Sequence, residues 1–416
     1  MRSSGKTRHT IRAARTAPAR RTGRTGRPGW TAVVGAACAA VLAVLTATPA
    51  PAQPPAPAQP PALAPARAQA PDPARAQVSA GAKARGTGSA AHAPAWALKD
   101  TGAPAVRFRG LAAVDRDTAW VAGTRGTVLR TTDGGASWRD VSPPGAADLQ
   151  FRDVEAFDAR HAVVLAIGEG EASRVYRTAD GGATWTESFR NTDARAFYDC
   201  LTFFDRRHGL AVSDPVDGRF RILSTGDGGR SWTVLPDAGM PPALPGEAGF
   251  AASGQCLVPA GPRDVWLATG GAARARVLHS ADRGRTWTAT DSPIPAGDPA
   301  RGVFALAFRD RAHGLAVGGD YRADQSSPSA AATTGDAGRT WRPAGTPPPA
   351  YRSGVAWLPH SRTAALAVGP TGTDLTTDAG RTWRPLDTGS YDTVDCAPDR
   401  GCWAAGEQGR VARLEK

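Results

Sequence analysis

The chain has 416 residues with 50 basic and 38 acidic side chains, and this net charge of +12 would ordinarily suggest nucleic-acid binding. The first 95 residues hold 13 of the basic side chains and one acid, so residues 96–416 carry 37 charges of each sign and the nucleic-acid interpretation loses its basis. The 48 Gly and 35 Pro argue against a coiled coil, while the 12 Trp and 41% hydrophobic residues suffice for a packed core.

The N-terminal segment has the layout of an export signal. Residues 1–29 are rich in Arg and Thr, residues 30–48 form an apolar Ala and Val run, and small residues lead to Ala52. This order predicts a signal peptide over residues 1–52 and a secreted or cell-envelope protein. An uncleaved signal anchor is the alternative, because residues 30–48 are just long enough to cross a bilayer. Arg20-Arg21 leaves the choice between Sec and twin-arginine export open.

Residues 53–94 consist mainly of Pro, Ala and Gln with scattered Arg. Such a composition cannot bury enough apolar surface to offset the entropy of ordering. The sequence therefore predicts a disordered linker over residues 53–94, followed by one folded domain over residues 95–416.

The folded domain contains an octapeptide that recurs six times with the pattern Ser/Thr-x-Asp-x-Gly-x-Ser/Thr-Trp. Its Asp and Trp residues are Asp133 and Trp138, Asp180 and Trp185, Asp227 and Trp232, Asp282 and Trp287, Asp336 and Trp341, and Asp378 and Trp383. Successive copies lie 42 to 55 residues apart, the length of a four-stranded propeller blade. We expect the Asp to cap backbone amides in the turn between the third and fourth strands, with the Trp packed beneath.

The two ends of the domain complete one blade. The segment from Tyr391 to Lys416 supplies three strands and stops where another octapeptide would begin. The sequence around Trp96 matches that around Trp383, so the N-terminal strand is predicted to be the fourth strand of the last blade. The predicted fold is therefore all-β, a single seven-bladed β-propeller without open sheet edges.

The octapeptide is similar to the Asp-box, or BNR, repeat of the sialidase-like propellers. The segment from Trp96 to Lys416 resembles the photosystem II stability and assembly factors and their bacterial relatives, most closely from Ala122 to Trp138. This resemblance implies a propeller that acts as a binding or assembly scaffold, and it does not imply a photosystem client. Sialidase activity is disfavoured, because the Phe/Tyr-Arg-Ile-Pro motif that should precede the first repeat is missing.

Propellers usually bind ligands on the face where the first strands begin and the second strands end. The residues predicted to converge there are Arg109, Arg152, Asp199, Asp214, Glu247, Arg301, Asp320, Tyr321 and Arg352, with Glu169, Tyr198, Tyr391 and Glu407 nearby. One interpretation is a site for a protein or glycan partner. The other is a set of solvated loop charges and ion pairs between blades.

Two enzymatic alternatives remain open. Paired carboxylates suit glycoside hydrolysis, with Asp214 and Asp320 as the candidate catalytic residues. A redox protein with a bound cofactor is the third hypothesis, although the sequence lacks a dinucleotide-binding glycine motif. We expect a monomer with no cofactor, no metal and no nucleic-acid partner, which contacts a membrane only if the signal anchor is retained. The histidines His161, His208, His313 and His360 recur in turns and are interpreted as turn residues.

Four cysteines follow the predicted signal peptide, in keeping with an oxidising compartment. Cys396 and Cys402 flank a short turn and are predicted to form a disulfide. Cys200 and Cys256 occupy equivalent positions in neighbouring blades, where a second bridge is a further hypothesis.

Overall fold

The computed structural model describes residues 94–415, so the predicted signal peptide and all but the last residue of the predicted linker lie outside the described residues. The described part of the chain forms seven antiparallel four-stranded sheets. Each sheet is one blade, and the predicted all-β, seven-bladed propeller is confirmed. Residues 94–415 include no helix with the length and apolar character needed to cross a membrane.

The blades follow one another along the chain. The first strand, β1 (Ala95–Lys99), belongs to the last blade. Blade 1 contains β2 (Phe108–Ala113), β3 (Ala119–Gly123), β4 (Val128–Thr131) and β5 (Arg139–Asp140). Blade 2 contains β6 (Gln150–Ala156), β7 (Ala162–Ile167), β8 (Arg174–Thr178) and β9 (Thr186–Arg190). Blade 3 contains β10 (Tyr198–Phe203), β11 (Gly209–Val216), β12 (Arg219–Thr225) and β13 (Thr233–Val234).

The second half of the ring has the same organisation. Blade 4 contains β14 (Leu257–Ala260), β15 (Asp264–Ala268), β16 (Arg276–Ser280) and β17 (Thr288–Asp291). Blade 5 contains β18 (Arg301–Phe308), β19 (Gly314–Asp320), β20 (Ala331–Thr334) and β21 (Arg342–Pro343). Blade 6 contains β22 (Gly354–Trp357), β23 (Ala365–Gly369), β24 (Gly372–Thr376) and β25 (Arg384–Asp387). Blade 7 contains β26 (Thr393–Cys396), β27 (Cys402–Ala405), β28 (Val411–Glu415) and β1. Two short 3-10 helices, Gly170–Ala172 and Asp237–Gly239, lie in connections.

The first strand of each blade is the innermost, and these strands contact one another around a closed ring. Closure depends on β1, which pairs antiparallel with β28 in a register that places Trp96 opposite Leu414. The N-terminal strand therefore completes blade 7 as predicted. This pairing leaves no unpaired strand at the junction of the two chain ends.

The core lies between neighbouring blades. Trp120, Trp266 and Trp403 on the second strands are fully buried. The octapeptide tryptophans pack across the blade boundaries, as Trp185 of blade 2 meets Trp120 of blade 1 edge-on with ring centroids 6.4 Å apart. Each repeat thus buries its aromatic side chain only when a neighbouring blade is present, which favours a complete ring over isolated blades.

The octapeptide turns have the expected geometry, illustrated by blade 3. The Asp227 carboxylate accepts hydrogen bonds from the Thr225 hydroxyl at 2.8 Å, the Ser231 amide at 3.0 Å and the Ser231 hydroxyl at 2.6 Å. Gly228 and Gly229 both have φ of 77°, a conformation that glycine adopts without strain. Partial burial tends to raise the pKa of Asp227, but the hydrogen bonds from Ser231 and Thr225 outweigh burial and lower it to about 2.

Candidate functional site

A cavity of about 650 Å³ opens at the end of the propeller where the innermost strands begin. Its wall combines cationic, carboxylic and aromatic side chains from several blades. The polar and charged lining residues are Arg107, Arg109, Arg152, Asp199, Asp214, Asp324, Asp392 and Glu407, and the aromatic ones are Phe197, Phe250, Phe304, Tyr321 and Tyr351. The volume lies in the range of about 300 to 1,000 Å³ that is usual for ligand sites.

Irregularities at the starts of the innermost strands place four of these side chains. The pairing register shifts by one residue at Arg109 in β2, Arg152 in β6, Asp199 in β10 and Phe304 in β18. Such a bulge leaves one residue out of the ladder and re-aims its side chain. The four blades therefore share the same bulge, and the side chain at the bulge is Arg in blades 1 and 2, Asp in blade 3 and Phe in blade 5.

The arginines of blade 1 meet a carboxylate from blade 7. Arg107 donates from Nε and Nη2 to the two carboxylate oxygens of Asp392 at 2.7 and 2.6 Å. The Nε of Arg109 lies 3.8 Å from the same carboxylate, and within residues 94–415 it is buried without a hydrogen-bond partner. The hydrogen bond and charge of Asp392 raise the pKa of Arg107, whereas burial lowers that of Arg109. Arg107 is thus held by an internal partner, and Arg109 keeps a free donor.

The aromatic part of the wall is a compact cluster. The rings of Phe250 and Phe304 stack with centroids 3.8 Å apart and an interplanar angle of 11°. Tyr351 meets Phe304 edge-on at 4.8 Å, and Tyr321 does so at 6.1 Å. Tyr321 is 51% exposed, whereas most large hydrophobic side chains of residues 94–415 are buried. The cluster offers a ligand an apolar surface beside the arginines.

Residues 249–256, which we call the axial segment, form the floor of the cavity. Arg152 of blade 2 donates to the Ala251 carbonyl at 2.9 Å. On the other side of the axis, the Gln255 side chain donates to Val394 of blade 7 at 2.8 Å and accepts from the Val355 amide of blade 6 at 2.9 Å. Because its partners surround the axis, the axial segment crosses the centre of the propeller and closes the cavity from below.

A carboxyl pair from blade 3 lies beside the axial segment. Asp214 accepts a hydrogen bond from the Gly249 amide at 2.7 Å, and a Cβ at Gly249 would lie 3.1 Å from the Asp199 carboxylate, so both carboxyl groups adjoin this glycine. Burial raises the pKa of both groups, and the neighbouring charge of Asp214 raises that of Asp199 further. Ionisation of either buried carboxyl group therefore disfavours ionisation of its neighbour.

A second group of buried acids joins the innermost strands to one another. Asp153 of β6 accepts from the Leu201 amide at 2.7 Å, and Asp395 of β26 accepts from the Ala113 amide at 2.8 Å. Burial and the charge of Asp395 raise the pKa of Glu155 to about 8. Gly254 has φ of 78°, and a Cβ there would lie 2.5 Å from the Asp153 carboxylate. The axial segment therefore needs glycine at this position.

The structure brings together only part of the predicted site. Arg109, Arg152, Asp199, Asp214 and Tyr321 line the cavity, as does Glu407. The other four predicted residues are absent from the cavity wall and have internal partners within the described chain: Glu247 pairs with Arg276, Arg301 with Asp320, and Arg352 with Asp374. Each of these four charges is therefore paired with another side chain of the protein and does not line the cavity. Their assignment to a binding site stays a prediction.

The predicted catalytic pair is not assembled in the cavity. Asp214 has Asp199 as its carboxyl neighbour, whereas Asp320 is held by the Arg301 guanidinium at 2.8 Å, which lowers the pKa of Asp320. Of the other nearby residues, Tyr198 is buried against Phe189 and Tyr391 against Trp96. Glu169 lies in an isolated bridge with Phe197.

Sequence reasoning missed Arg107, Asp392 and the aromatic residues Phe250, Phe304 and Tyr351. Phe304 occupies the same bulge position as Arg109, so alignment of the blades was the signal that could have found it. An aromatic residue at the start of a strand was otherwise indistinguishable from core.

The cysteines and histidines have structural positions. The two disulfides are Cys200–Cys256, which ties β10 to the end of the axial segment, and Cys396–Cys402, which closes the β26–β27 hairpin. His161, His208 and His313 each place Nδ1 about 2.9 Å from the carboxylate of an aspartate three residues earlier, within one turn. Within residues 94–415, no three His, Cys, Asp or Glu side chains are grouped as metal ligands.

The fold and the site define a seven-bladed β-propeller with a central, closed-floored cavity of mixed charge. No family model matches the sequence, and no curated protein matches it. Among solved structures, the chain is similar to "YCF48 bound to D1 peptide", with 14% identity over 77% of this chain and 95% of that chain and a TM-score of 0.55. It is also similar to YCF48 from Cyanidioschyzon merolae, with 16% identity, coverage of 77% and 99% and a TM-score of 0.56.

A third similar structure is the GH74 xyloglucanase from Xanthomonas campestris, with 17% identity over 76% of this chain and a TM-score of 0.53. The chain spans only 53% of that enzyme's length. At these identities the similarities establish the fold. They agree with the resemblance to photosystem II assembly factor propellers seen in the sequence.

Proposed function

We propose that this protein is an exported scaffold or assembly factor that holds a segment of a partner protein in its central cavity. The observation that carries the proposal is the joint presence of guanidinium groups and clustered aromatic rings in one cavity wall. The side chains of Arg109 and Arg152 line the cavity, and 22% of the Arg109 side chain is exposed. A ligand that supplies acceptors would bind the exposed parts of these groups, and the Phe250 and Tyr321 rings would cover its apolar parts.

The size of the cavity supports a segment rather than a folded domain as the occupant. About 650 Å³ accommodates a few side chains. The similar structure described as YCF48 bound to D1 peptide has a peptide on the same fold, which supports a protein partner for this chain. A glycan is the alternative partner, since aromatic rings beside polar groups also suit sugars.

The carboxyl groups favour binding over glycoside hydrolysis. A glycosidase needs its two carboxyl groups about 5 to 10 Å apart, with the scissile bond between them. Asp199 is only 2% exposed, so it cannot flank a substrate bond opposite Asp214, and Asp320 is paired with Arg301. We therefore assign the carboxyl pair to binding.

Export is part of the proposal. The signal-like order of residues 1–52 supports export, and the two disulfides are typical of proteins in an oxidising compartment outside the cytoplasm. The N-terminal residue of protein recovered from the cell envelope tests this directly. We expect Gln53, and a retained residue 1–52 segment would instead favour a signal anchor.

The binding role is tested by partner capture from the cell envelope with an Arg109→Gln variant. Arg109 can be replaced without unpairing Asp392, because Arg107 holds that carboxylate through two hydrogen bonds. We expect the partner recovered by the wild type to fall at least tenfold, since a hydrogen bond from a charged donor is lost.

The matched control is Arg139→Gln, which removes an exposed arginine from the outermost strand of the same blade. This control should capture as much partner as the wild type. If the Arg109→Gln variant captured as much partner as the wild type, the cavity would not be the binding site. If the wild type hydrolysed chromogenic glycosides and the Asp214→Asn variant did not, the protein would be an enzyme and not a scaffold.

A further inference from the structure

Four buried carboxylates near the cavity end of the propeller are matched with arginines. The matched pairs are Asp392 with Arg107, Glu247 with Arg276, Asp320 with Arg301, and Asp374 with Arg352. Asp199 and Asp214 of blade 3 form no ion pair with any basic side chain within residues 94–415. A buried carboxyl pair without a countercharge is costly to ionise, so blade 3 lacks a cation that the other sites have.

The unmatched pair is accessible from the cavity. Asp214 is partly exposed there, and its Oδ1 accepts the Gly249 amide while its Oδ2 accepts no N–H group of a described residue. Asp199 lies behind it with 2% of its surface exposed, and its Oδ2 is buried without a donor. A cationic donor from a ligand would meet Asp214 first, and its charge would favour ionisation of both carboxyl groups.

The surroundings suit an organic cation rather than a metal ion. Phe250 directly follows Gly249 and stacks on Phe304, so an aromatic cluster lies next to the carboxyl pair. Ring faces attract ammonium and guanidinium groups, which can also donate hydrogen bonds to carboxylates. Metal ions of the calcium type need six or more oxygen ligands, and the described residues contain no group of three side chains placed to supply them.

We propose that the carboxyl pair of Asp199 and Asp214 is a subsite for a lysine or arginine side chain of the bound protein segment. The inference rests on the proposed function and adds the chemistry of the ligand to it. The cavity then has two poles, with Arg109 and Arg152 facing acceptors of the segment and blade 3 facing its basic side chain. The ligand class is a peptide that carries a basic residue close to acceptor groups.

Selection of random dodecapeptides displayed on phage tests this without knowledge of the natural partner. The selection is run on the wild type, on Asp214→Asn and on Asp217→Asn. Asn can still accept the Gly249 amide at position 214, so the floor of the cavity is retained. Asp217 is an exposed residue in the hairpin between the second and third strands of the same blade. Its replacement by Asn changes the net charge by the same amount as Asp214→Asn. We expect Lys or Arg to be enriched at one peptide position with the wild type and Asp217→Asn, and not with Asp214→Asn.

A second measurement changes the peptide and leaves the protein intact. The basic residue of the best selected peptide is replaced by norleucine, which has a similar chain and no charge, and both peptides are titrated by fluorescence anisotropy. We expect the norleucine peptide to bind at least tenfold more weakly to the wild type, because a charged hydrogen bond is removed. The difference should shrink to less than threefold with Asp214→Asn.

The outcomes separate this inference from the proposed function. Peptides that depend on Arg109 but show no basic preference would overturn the cation subsite alone. Peptides that bind Arg109→Gln and the wild type equally would overturn binding in the cavity altogether. A norleucine peptide that binds as tightly as its parent would also contradict the subsite, whatever the variants do.

Discussion

The octapeptide turns at the periphery and the carboxyl groups near the axis use the same side-chain chemistry in opposite ways. In the turns, nearby amides and hydroxyls hold each carboxylate ionised, and the pKa of Asp133, Asp180 and Asp227 falls to about 2. Near the axis, burial raises the pKa of Asp153, Glu155, Asp199, Asp214 and Asp395. The turns are alike in every repeat, while the axial groups differ from blade to blade.

This contrast separates the residues that make the fold from those that make the site. The aspartate of each turn is hydrogen-bonded within the turn itself. The octapeptide pattern can therefore recur six times, whatever the neighbouring blades contain. A buried acid depends on what neighbouring blades supply. Asp392 forms an ion pair with an arginine, and Asp153 accepts a hydrogen bond from a backbone amide. Asp214 accepts a hydrogen bond from one backbone amide and otherwise has only the acidic side chain of Asp199 beside it.

Alkaline pH should weaken the axial region first. Glu155 has a raised pKa of about 8, so its contribution to stability is complete below its unfolded value of 4.5 and is lost as the pH rises through 8. Replacing it with Gln removes the cost of ionisation and keeps an acceptor for the Thr202 hydroxyl. We expect Glu155→Gln to raise the free energy of unfolding by about 2 kcal/mol at pH 9 and to have little effect at pH 4. Urea denaturation at both pH values measures the difference.

The control for this comparison is Glu171→Gln. Its carboxylate is 65% exposed in a surface ion pair with Arg190, so its effect should be small at both pH values. A stabilisation by Glu155→Gln that is as large at pH 4 as at pH 9 would show that packing, not ionisation, is responsible.

Acidic pH should weaken the turns. The lowered pKa of Asp227 means that its contribution is present above its unfolded value of 3.8 and is lost as the pH falls through 2. We expect Asp227→Ala to reduce the free energy of unfolding by about 1 kcal/mol at pH 7, a loss comparable to that of a helix cap, and by much less at pH 2. Denaturation curves at the two pH values provide the measurement.

Asp237→Ala is the matched control, because Asp237 is exposed in the connection after the same blade. It should leave stability unchanged. If Asp227→Ala costs the same at pH 2 and pH 7, the turn does not depend on the ionised carboxylate, and the contrast between periphery and axis fails at the periphery.

The fold could be predicted from the sequence because its signals are local and repeated. Six octapeptides give the blade length, and the match between the segments around Trp96 and Trp383 identifies the closing strand. Each signal is complete within a few residues, and the structure needs only to stack copies of it. Closure by β1 is a long-range feature, and the sequence predicts it only because β1 resembles the other outermost strands.

The site could be predicted only in part, because the destination of a charge depends on residues in other blades. Arg109 and Arg352 both stand near the start of an innermost strand, yet the Arg109 Nε stays free while Arg352 donates to Asp374 at 2.6 Å. The sequence around Arg352 contains no motif that predicts its pairing with Asp374. The axial segment could not be predicted for the same reason, because its role comes from contacts with several blades and not from a motif of its own.

The pairing of β1 with β28 sets an order of events during synthesis. Trp96 lies opposite Leu414 in the strand register, so this pairing cannot form until the chain between the two residues has been made. At about 5 to 20 residues per second, that interval is on the order of tens of seconds. Throughout this time the ring is open and its first strand has no sheet to join. The ring cannot close before Leu414 has been made, so blade 7 is incomplete in any chain that reaches an export channel before that point.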